Sequence, residues 1–375
     1  MIHPIAIYLP QFHPIPENNE WWGKGFTEWT NVTKAKPYFK GHYQPHLPTA
    51  LGFYDLRFSE NRLAQENLAK ENGIYGFCYY HYWFDGKQVL QNPIELKLKN
   101  KEEDLPFMLC WANENWTRKW DGGNNEILLE QNYSKEDAKK FAKHLVPFFQ
   151  DERYIKNNGK VLFAIYRSEI IPNIDDYLEE IHKEARMNNI SVEISRVESF
   201  GNSGNEYIGN LDSAIEFQPF SESLTNFRKE ILQPQYNKKF FHRIAYKVLN
   251  LFNMKGPSKV FIWNHFQKLD YYQYVLYLIN NYKFKTSYKR YPCITPSWDN
   301  SPRRSKYNTF LFYNSKPEYF ELWLKFIING LAKSEHNNLN GFFFINAWNE
   351  WAEGNHLEPC IKYGMGYLEK VKKVV

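Results

Sequence analysis

The chain has 375 residues, 47 Lys and Arg against 42 Asp and Glu, and a formal net charge of +5; 43% of it is hydrophobic and 24% charged. That balance excludes an intrinsically disordered chain and leaves ample apolar material for a large core, in one domain or two. Aromatic residues reach 18%, among them 12 Trp, and many stand beside polar residues, a pairing that suits sugar rings, which stack through C–H groups and hydrogen-bond at their edges.

The N-terminal "MIHPIAIYLPQFHP" lacks a basic leader and a cleavable apolar segment, and no apolar stretch approaches the ~20 residues of a spanning helix. A cytoplasmic protein is expected. The first strand is read at 5–10 and leads into the loop-like "QFHPIPENNEWWGKGFTEW". An amphipathic helix follows at 57–73, with Ser59 placed to cap it and Gly73 to end it. Strands are then read at 74–83 and 106–113, a helix at 134–151, and further strands at 160–167, 191–198, 213–219, 291–298 and 341–348. Their near-continuous apolar character is that of parallel strands covered on both faces. Strands alternating with helices in this way predict an α/β fold, a (β/α)8 TIM barrel, with residues 1–375 as a single domain. Cys78, Cys110 and Cys293 fall inside the strands and, with Cys360, share no C-x-x-C spacing, so they are read as buried thiols.

The gap between the sixth and seventh strands, about 70 residues, is too long for a simple connection. Residues 220–289 are therefore read as an insertion, and a basic one: 228–290 carry 13 Lys and Arg against Glu230 and Asp270. Within it, "KKFFHRIAYKVLNLFNMKG" (238–256) has apolar residues at helical spacing among Lys239, His242, Arg243 and Lys247. Such a helix fits either docking onto the barrel or peripheral contact with an anionic membrane at its inner face. No nucleic-acid-binding motif accompanies the basic residues, so no nucleic-acid partner is expected.

Catalytic groups of such barrels occupy the C-terminal ends of the strands and the loops that follow. The ends read here place Gln11, His13 and Trp29 after the first strand, Tyr80, His81 and Trp83 on the second, and Trp111, Asn113, Glu114, Trp116 and Arg118 on and after the third. Later ends carry Gln218, then Trp298, Asp299, Asn300, Arg303 and Arg304, and finally "NAWNEWAEGNHLEP" (346–359) with Trp348, Asn349, Trp351, His356 and Glu358. All are candidate substrate-binding residues, and Trp21, Trp22 and Trp120 join them as candidate stacking platforms. The arginines suit a phosphate or carboxylate, although a solvated face fits them equally. His13, His81 and His356 suit sugar hydroxyls or structural roles. His42 and His46 are four apart, but Pro45 between them argues against a helix and hence against a metal pair. No metal and no other cofactor is expected.

Chemistry at a glycosidic bond asks for two carboxyl groups, one to protonate the leaving oxygen and one to assist at the anomeric centre. Glu350 and Glu353 are three apart. An extended strand would throw them to opposite faces, but a chain that turns past Trp351, as Gly354 permits, brings both into one pocket. Indole neighbours would raise one pKa by desolvation while the better-solvated partner stays ionised. An E-x-x-E is common, and the acids of a surface loop are the alternative.

The segments "YLPQFHPIPENNEWWGKGFTEWTNV", "CWANENWTRKWDG", "WDNSPRR" and "NAWNEWAEGNHLEP", in order from residue 8 to residue 359, together resemble the WbsX-like family of bacterial polysaccharide biosynthesis proteins. That family is similar to family 99 glycoside hydrolases, retaining endo-α-mannosidases on a (β/α)8 barrel, whose motif N-E-W-H-E-G-T-x-I-E-P aligns with "NEWAEGNHLEP" without a gap. The resemblance implies Glu353 as general acid/base and Glu350 as a base that deprotonates the sugar 2-hydroxyl for attack on C1, giving a 1,2-anhydro intermediate. Ala352, Asn355 and His356 depart from the pattern, so mannose specificity does not carry over. Three functions are left as expectations. The first is a retaining glycoside hydrolase or transglycosylase acting on surface polysaccharide or its lipid-linked precursor. The second is a glycosyltransferase of lipopolysaccharide O-antigen or capsule synthesis, with rim arginines on a donor phosphate. The third is a non-catalytic carbohydrate-binding barrel. Hydrolase-like chemistry leads because the sequence has no Gly-rich phosphate loop and no D-x-D triplet.

Overall fold

The computed structural model describes residues 2–118, 126–199, 209–231, 267–305, 308–333 and 341–375. Its strands are β1 (Ile2–Tyr8), β2 (Gly76–Phe84), β3 (Phe107–Trp111), β4 (Lys160–Ile165), β5 (Val192–Glu198), β6 (Ser213–Glu216), β7, split into Arg290–Tyr291 and Cys293–Ile294, and β8 (Gly341–Ile345). Each overlaps an expected strand. Several expected ends overrun, as at 298 against Ile294 and 348 against Ile345, because the polar tails leave the ladder there and become the loops that carry the site.

All neighbours around the ring run parallel: β8 to β1, β1 to β2, and onward in order to β6. Closure falls to β7. Pro292 has no N–H to give a ladder and divides that strand, so Arg290 and Tyr291 pair with Ala214 and Ile215 of β6, while Cys293 and Ile294 pair with Phe344 and Ile345 of β8. The expected (β/α)8 barrel is thus present. Its strands are buried on both faces, β3 throughout and β8 but for its first residue, since one face fills the barrel and the other meets the helices.

Helices alternate with the strands: α1 (Pro16–Trp22) and α2 (Glu28–Lys34) in the first loop, α3 (Ser59–Glu71), α4 (Asn92–Lys99) and α5 (Lys135–Phe149) farther on. In α5 the Ser134 hydroxyl accepts the Asp137 N–H at 3.0 Å, and Ala138, Phe141, Ala142 and Leu145 form the buried stripe. Ser59, expected to cap the helix, is instead the first residue of α3, whose N-cap is Phe58. Gly73 does follow the helix end, at φ +80°. The four cysteines are free and buried.

Inside 220–289 the structure describes a helix at 222–231, a strand Gln267–Asp270 paired with Phe310–Tyr313, and a helix Tyr271–Asn281. The expected basic helix at 238–256, and Trp120, lie outside the described residues. No described helix is long and apolar enough to cross a membrane.

Candidate active site

Beyond β8 the chain folds into a tight hairpin, Asn349–Glu350 against Asn355–His356, joined by a 3-10 turn over Trp351–Glu353. Such a turn has three residues per revolution and eclipses side chains at i and i+3, so Glu350 and Glu353 come to the same side. Gly354 ends the turn at φ +56°, and a Cβ there would lie 2.9 Å from the Asp299 Cβ. Only glycine satisfies both the left-handed backbone and the close approach.

Both carboxylates meet Arg303. Its Nη2 lies 3.0 Å from Glu350 Oε2, its Nη1 3.0 Å from Glu353 Oε1, and its Nε donates to Glu28 Oε1 at 2.7 Å. Arg303 comes from the loop after β7, and Glu28 opens α2, its N–H bonded to the Gln11 carbonyl at 3.1 Å. Three of these side chains are buried, whereas Glu353 keeps 21% exposure. Burial pushes the Glu350 carboxyl up to about 8; Arg303 opposes the shift, and the charges of Glu353 and Glu28 reinforce it. Burial also raises Glu353 against the pull of Arg303 and Arg304. One raised and one ordinary carboxyl were expected, but both are raised, because burial desolvates both and the nearby guanidinium charge does not fully offset it. A Glu350 carboxyl held up at about 8 favours its protonated form at neutral pH.

Tyr80 and Tyr82, two apart on β2, point to one face, and both feel the Glu350 charge; Tyr166, just past β4, feels Glu353. Glu114 pairs with Arg167 at 2.8 Å. Next to this cluster is a cavity partly open to solvent, lined by Gln11, Asn18, Trp21, Trp22, Tyr82, Trp116, Thr117 and Leu128. Arg118 lies over the Trp22 ring at 5.7 Å, gives an N–H to the Trp21 carbonyl and pairs with Glu126 at 2.7 Å. Arg304 sits near Glu353, its carbonyl held by the Tyr38 hydroxyl. Gln11, Trp21, Trp22, Tyr80, Glu114, Trp116, Arg118, Arg304 and Glu353 are thus expected residues that keep some exposure at this rim.

Other expected contacts are set behind the cleft, most with their polar atoms taken up inside the protein; His13, Trp298 and Trp348 are buried with no hydrogen-bond partner for their ring nitrogens among the described residues. Arg303 grips the protein's own acids. His81 and Trp83 point to the outer face of β2, where His81 meets His144 at 2.9 Å and the Trp83 N–H reaches Asp137 at 2.8 Å. Trp111 packs on Phe141 and Tyr177, and Asn113 bonds the Tyr133 hydroxyl and the Arg167 carbonyl. His13 is buried, which lowers its pKa to about 4. Trp29 donates to the Tyr54 carbonyl at 2.9 Å, Gln218 is tied to Glu216 and Tyr274, and Trp298 packs edge-on against Phe220. Asp299 meets His42 at 2.6 Å and Gln44 at 2.7 Å, and Asn300 accepts the Phe310 N–H.

The last motif is equally occupied. Trp348 packs on Phe77, and the Asn349 amide clamps Leu9 from both sides. Trp351 stacks on His356 at 3.7 Å and donates to Glu358 at 2.6 Å; Glu358 also accepts from Tyr54 and Gln65. Burial pushes Glu358 up to about 7 and His356 down to about 3. His46 meets His356 at 3.1 Å.

Sequence reasoning missed Glu28, Tyr82, Tyr166 and Asn18. Alternation along "YYHYW" was the available signal for Tyr82, since it must share a face with Tyr80. No spacing in the sequence links Glu28 to Arg303.

Comparison with known proteins adds the family. The sequence model described as Glycosyltransferase WbsX matches residues 4–371. A protein described as uncharacterized protein WxcX, from Xanthomonas campestris pv. campestris strain B100, is 35% identical over 375 residues, covering 99% of this chain and 49% of that protein. Its counterpart in strain ATCC 33913 shows the same identity and coverage. The chain therefore spans about half the length of these curated relatives. Among solved structures, a glycoside hydrolase-like protein superposes with a TM-score of 0.60 at 12% identity, covering 99% of this chain and 93% of that one. The GH99 endo-alpha-mannosidase from Bacteroides thetaiotaomicron follows with a TM-score of 0.56 at 14% identity, covering 99% and 96%. At such identities the likeness is one of fold. The match along almost its whole length makes this chain a member of the WbsX glycosyltransferase family, built on a barrel of the GH99 type.

Proposed function

We propose that the protein acts on glycosidic bonds of a bacterial surface polysaccharide or its lipid-linked precursor, as a retaining hydrolase or transglycosylase with Glu353 as general acid/base and Glu350 as the assisting base. The observation that carries this reading is the convergence of Glu350 and Glu353 on the two terminal nitrogens of Arg303. A barrel that only bound sugar would need aromatic faces and hydrogen bonds, not crowded acids that cost free energy to bury.

In the proposed reaction Glu353, the more exposed acid, gives its proton to the leaving glycosidic oxygen. Glu350 takes the proton of the 2-hydroxyl, whose oxygen forms a bond to C1 as the glycosidic bond breaks. Water or a second sugar hydroxyl then attacks C1, losing its proton to Glu353, while the 2-oxygen leaves and recovers a proton from Glu350. Burial pushes Glu350 up to about 8, so in this reaction the shared proton passes to Glu353 before the glycosidic bond breaks. A pair that titrates as one unit permits that shift.

A second reading, favoured by the family's description as a glycosyltransferase, has Arg304 beside Glu353 meeting a donor phosphate. One experiment separates them: proton NMR of the protein with its own organism's surface polysaccharide and no sugar nucleotide. Reducing-end signals that first appear with the anomeric configuration of the cleaved bond support the hydrolase, and their loss in Glu353→Gln ties them to the site. Unchanged polysaccharide together with consumption of a sugar nucleotide establishes the transferase instead.

A further inference from the structure

The cavity beside the acid cluster is lined mainly by aromatic and apolar groups, chiefly Trp21, Trp22, Tyr82, Trp116 and Leu128. Its polar members are Gln11, Thr117 and Asn18, of which Asn18 alone is fully buried. Its side chain is 0% exposed, and among the described residues neither its amide nitrogen nor its amide oxygen has a hydrogen-bond partner. An orphaned buried amide is a standing cost that folded proteins rarely accept without a use for it. Nearby chemistry sharpens the point: Asn19, next in sequence, accepts the Gly25 N–H, and Asn113 and Asn349 are both engaged.

A free donor and a free acceptor side by side, in an aromatic box, call for a ligand group with an acceptor, a donor and an apolar end. We propose that the cavity is a subsite for the acetamido group of an N-acetylated sugar. The Asn18 amide N–H donates to the acetyl carbonyl, the Asn18 carbonyl accepts the sugar's amide N–H, and the methyl group lies against the indoles. A pair of sugar hydroxyls satisfies the amide but leaves the aromatic remainder of the cavity unfilled. An anionic group finds a poor counter-ion here, since Arg118 is paired with Glu126.

Tyr82 lines the cavity and also feels the charge of Glu350, and Gln11, another lining residue, holds the Glu28 N–H. The acetamido sugar therefore sits next to the acid cluster. This inference rests on the glycan reading for its class of ligand and is independent of the proposed bond chemistry.

The test is saturation-transfer NMR and titration with the methyl glycosides of N-acetylglucosamine, N-acetylgalactosamine and N-acetylmannosamine, each against its parent hexose, on the wild type and on Asn18→Leu. At least one N-acetyl glycoside should bind about tenfold or more tightly than its parent, with the acetyl methyl the most strongly saturated group. Asn18→Leu should lose that preference while melting at the same or a higher temperature, because an unpartnered buried amide has been removed. Equal affinities, an unsaturated methyl, no binding of any N-acetyl glycoside at its highest soluble concentration, or a preference that survives in Asn18→Leu overturns the proposal. Should Asn18→Leu fail to fold, the wild-type ratio decides alone. Acetamido binding without turnover of any glycan would remove the catalytic reading and keep the subsite; undiminished kcat/KM on a de-N-acetylated glycan would remove the subsite and keep the chemistry.

Discussion

The backbone N–H of Asp299 donates to the carbonyl of Glu353 at 2.6 Å, so the loop after β7 and the hairpin after β8 are fastened together at the proposed acid. Asp299 is itself fixed: burial works against its ionisation, but His42 and Gln44 hold its carboxyl below the usual carboxylate range. The placement of Glu353 therefore depends on groups that lie behind the cleft.

Gly354→Ala tests that dependence. It forces a side chain into a left-handed backbone and against the Asp299 Cβ, at a cost of about 2 kcal/mol or more. Urea unfolding should register the loss, and kcat should fall more than KM rises, because the turn carrying Glu353 shifts. An alanine variant with wild-type stability and turnover would refute the fastening.

Glu353→Gln and Glu350→Gln should each lower kcat by about 10²–10⁴-fold while the fold persists. Calorimetric titration with oligosaccharide should show affinity little changed in Glu353→Gln. Full turnover in either variant removes that carboxyl from its proposed role.

The pH dependence has a definite sign. The folded-state pKa of Glu350, pushed up to about 8, exceeds its ordinary value of 4.5, so between those values the folded protein holds a proton that the unfolded chain does not. This stabilisation is complete below the ordinary value and is lost as pH rises through about 8. Glu350→Gln should therefore raise the melting temperature by about 2–5 °C near pH 9 and by less near pH 5. Turnover should follow a bell whose alkaline limb falls near 8 as the shared proton leaves. A flat profile across that range would contradict the shared-proton cluster.

Arg303→Met leaves the buried Glu28 and Glu350, and the partly exposed Glu353 beside them, without their common cation. The loss should be about 3–5 kcal/mol at neutral pH, partly recovered near pH 5 as the acids protonate, and activity should vanish. Thermal melts at the two pH values measure this, and a variant equally destabilised at both would mean that Arg303 acts by packing.

The barrel was legible because strands buried on both faces leave short apolar runs, rich in β-branched and aromatic residues, that recur between helical patterns, and the hairpin was legible because Gly354 marks its turn. The site was harder. Along "YYHYW" the alternation separates Tyr80 and Tyr82 from His81 and Trp83, yet the letters do not say which pair faces the barrel's interior. Tryptophans with polar neighbours were read as sugar platforms, but a buried indole also needs an acceptor for its N–H. Trp83 finds Asp137, Trp351 finds Glu358 and Trp29 finds the Tyr54 carbonyl. The same local pattern thus describes a satisfied core indole. Glu28 and Arg303 are 275 residues apart, a meeting that only the closed ring brings about.

That ring depends on β7, whose two halves divide at Pro292 and give two paired residues to each neighbour. This buckle is as short as the ladder between β3 and β4, which also rests on two residue pairs, and the chain running on from it is the one that delivers Arg303 to the acids. Closure of the barrel and readiness of the acid cluster are in this way one property: slack at the seam would release the cation, and three carboxylates left to themselves would drive the same gap wider.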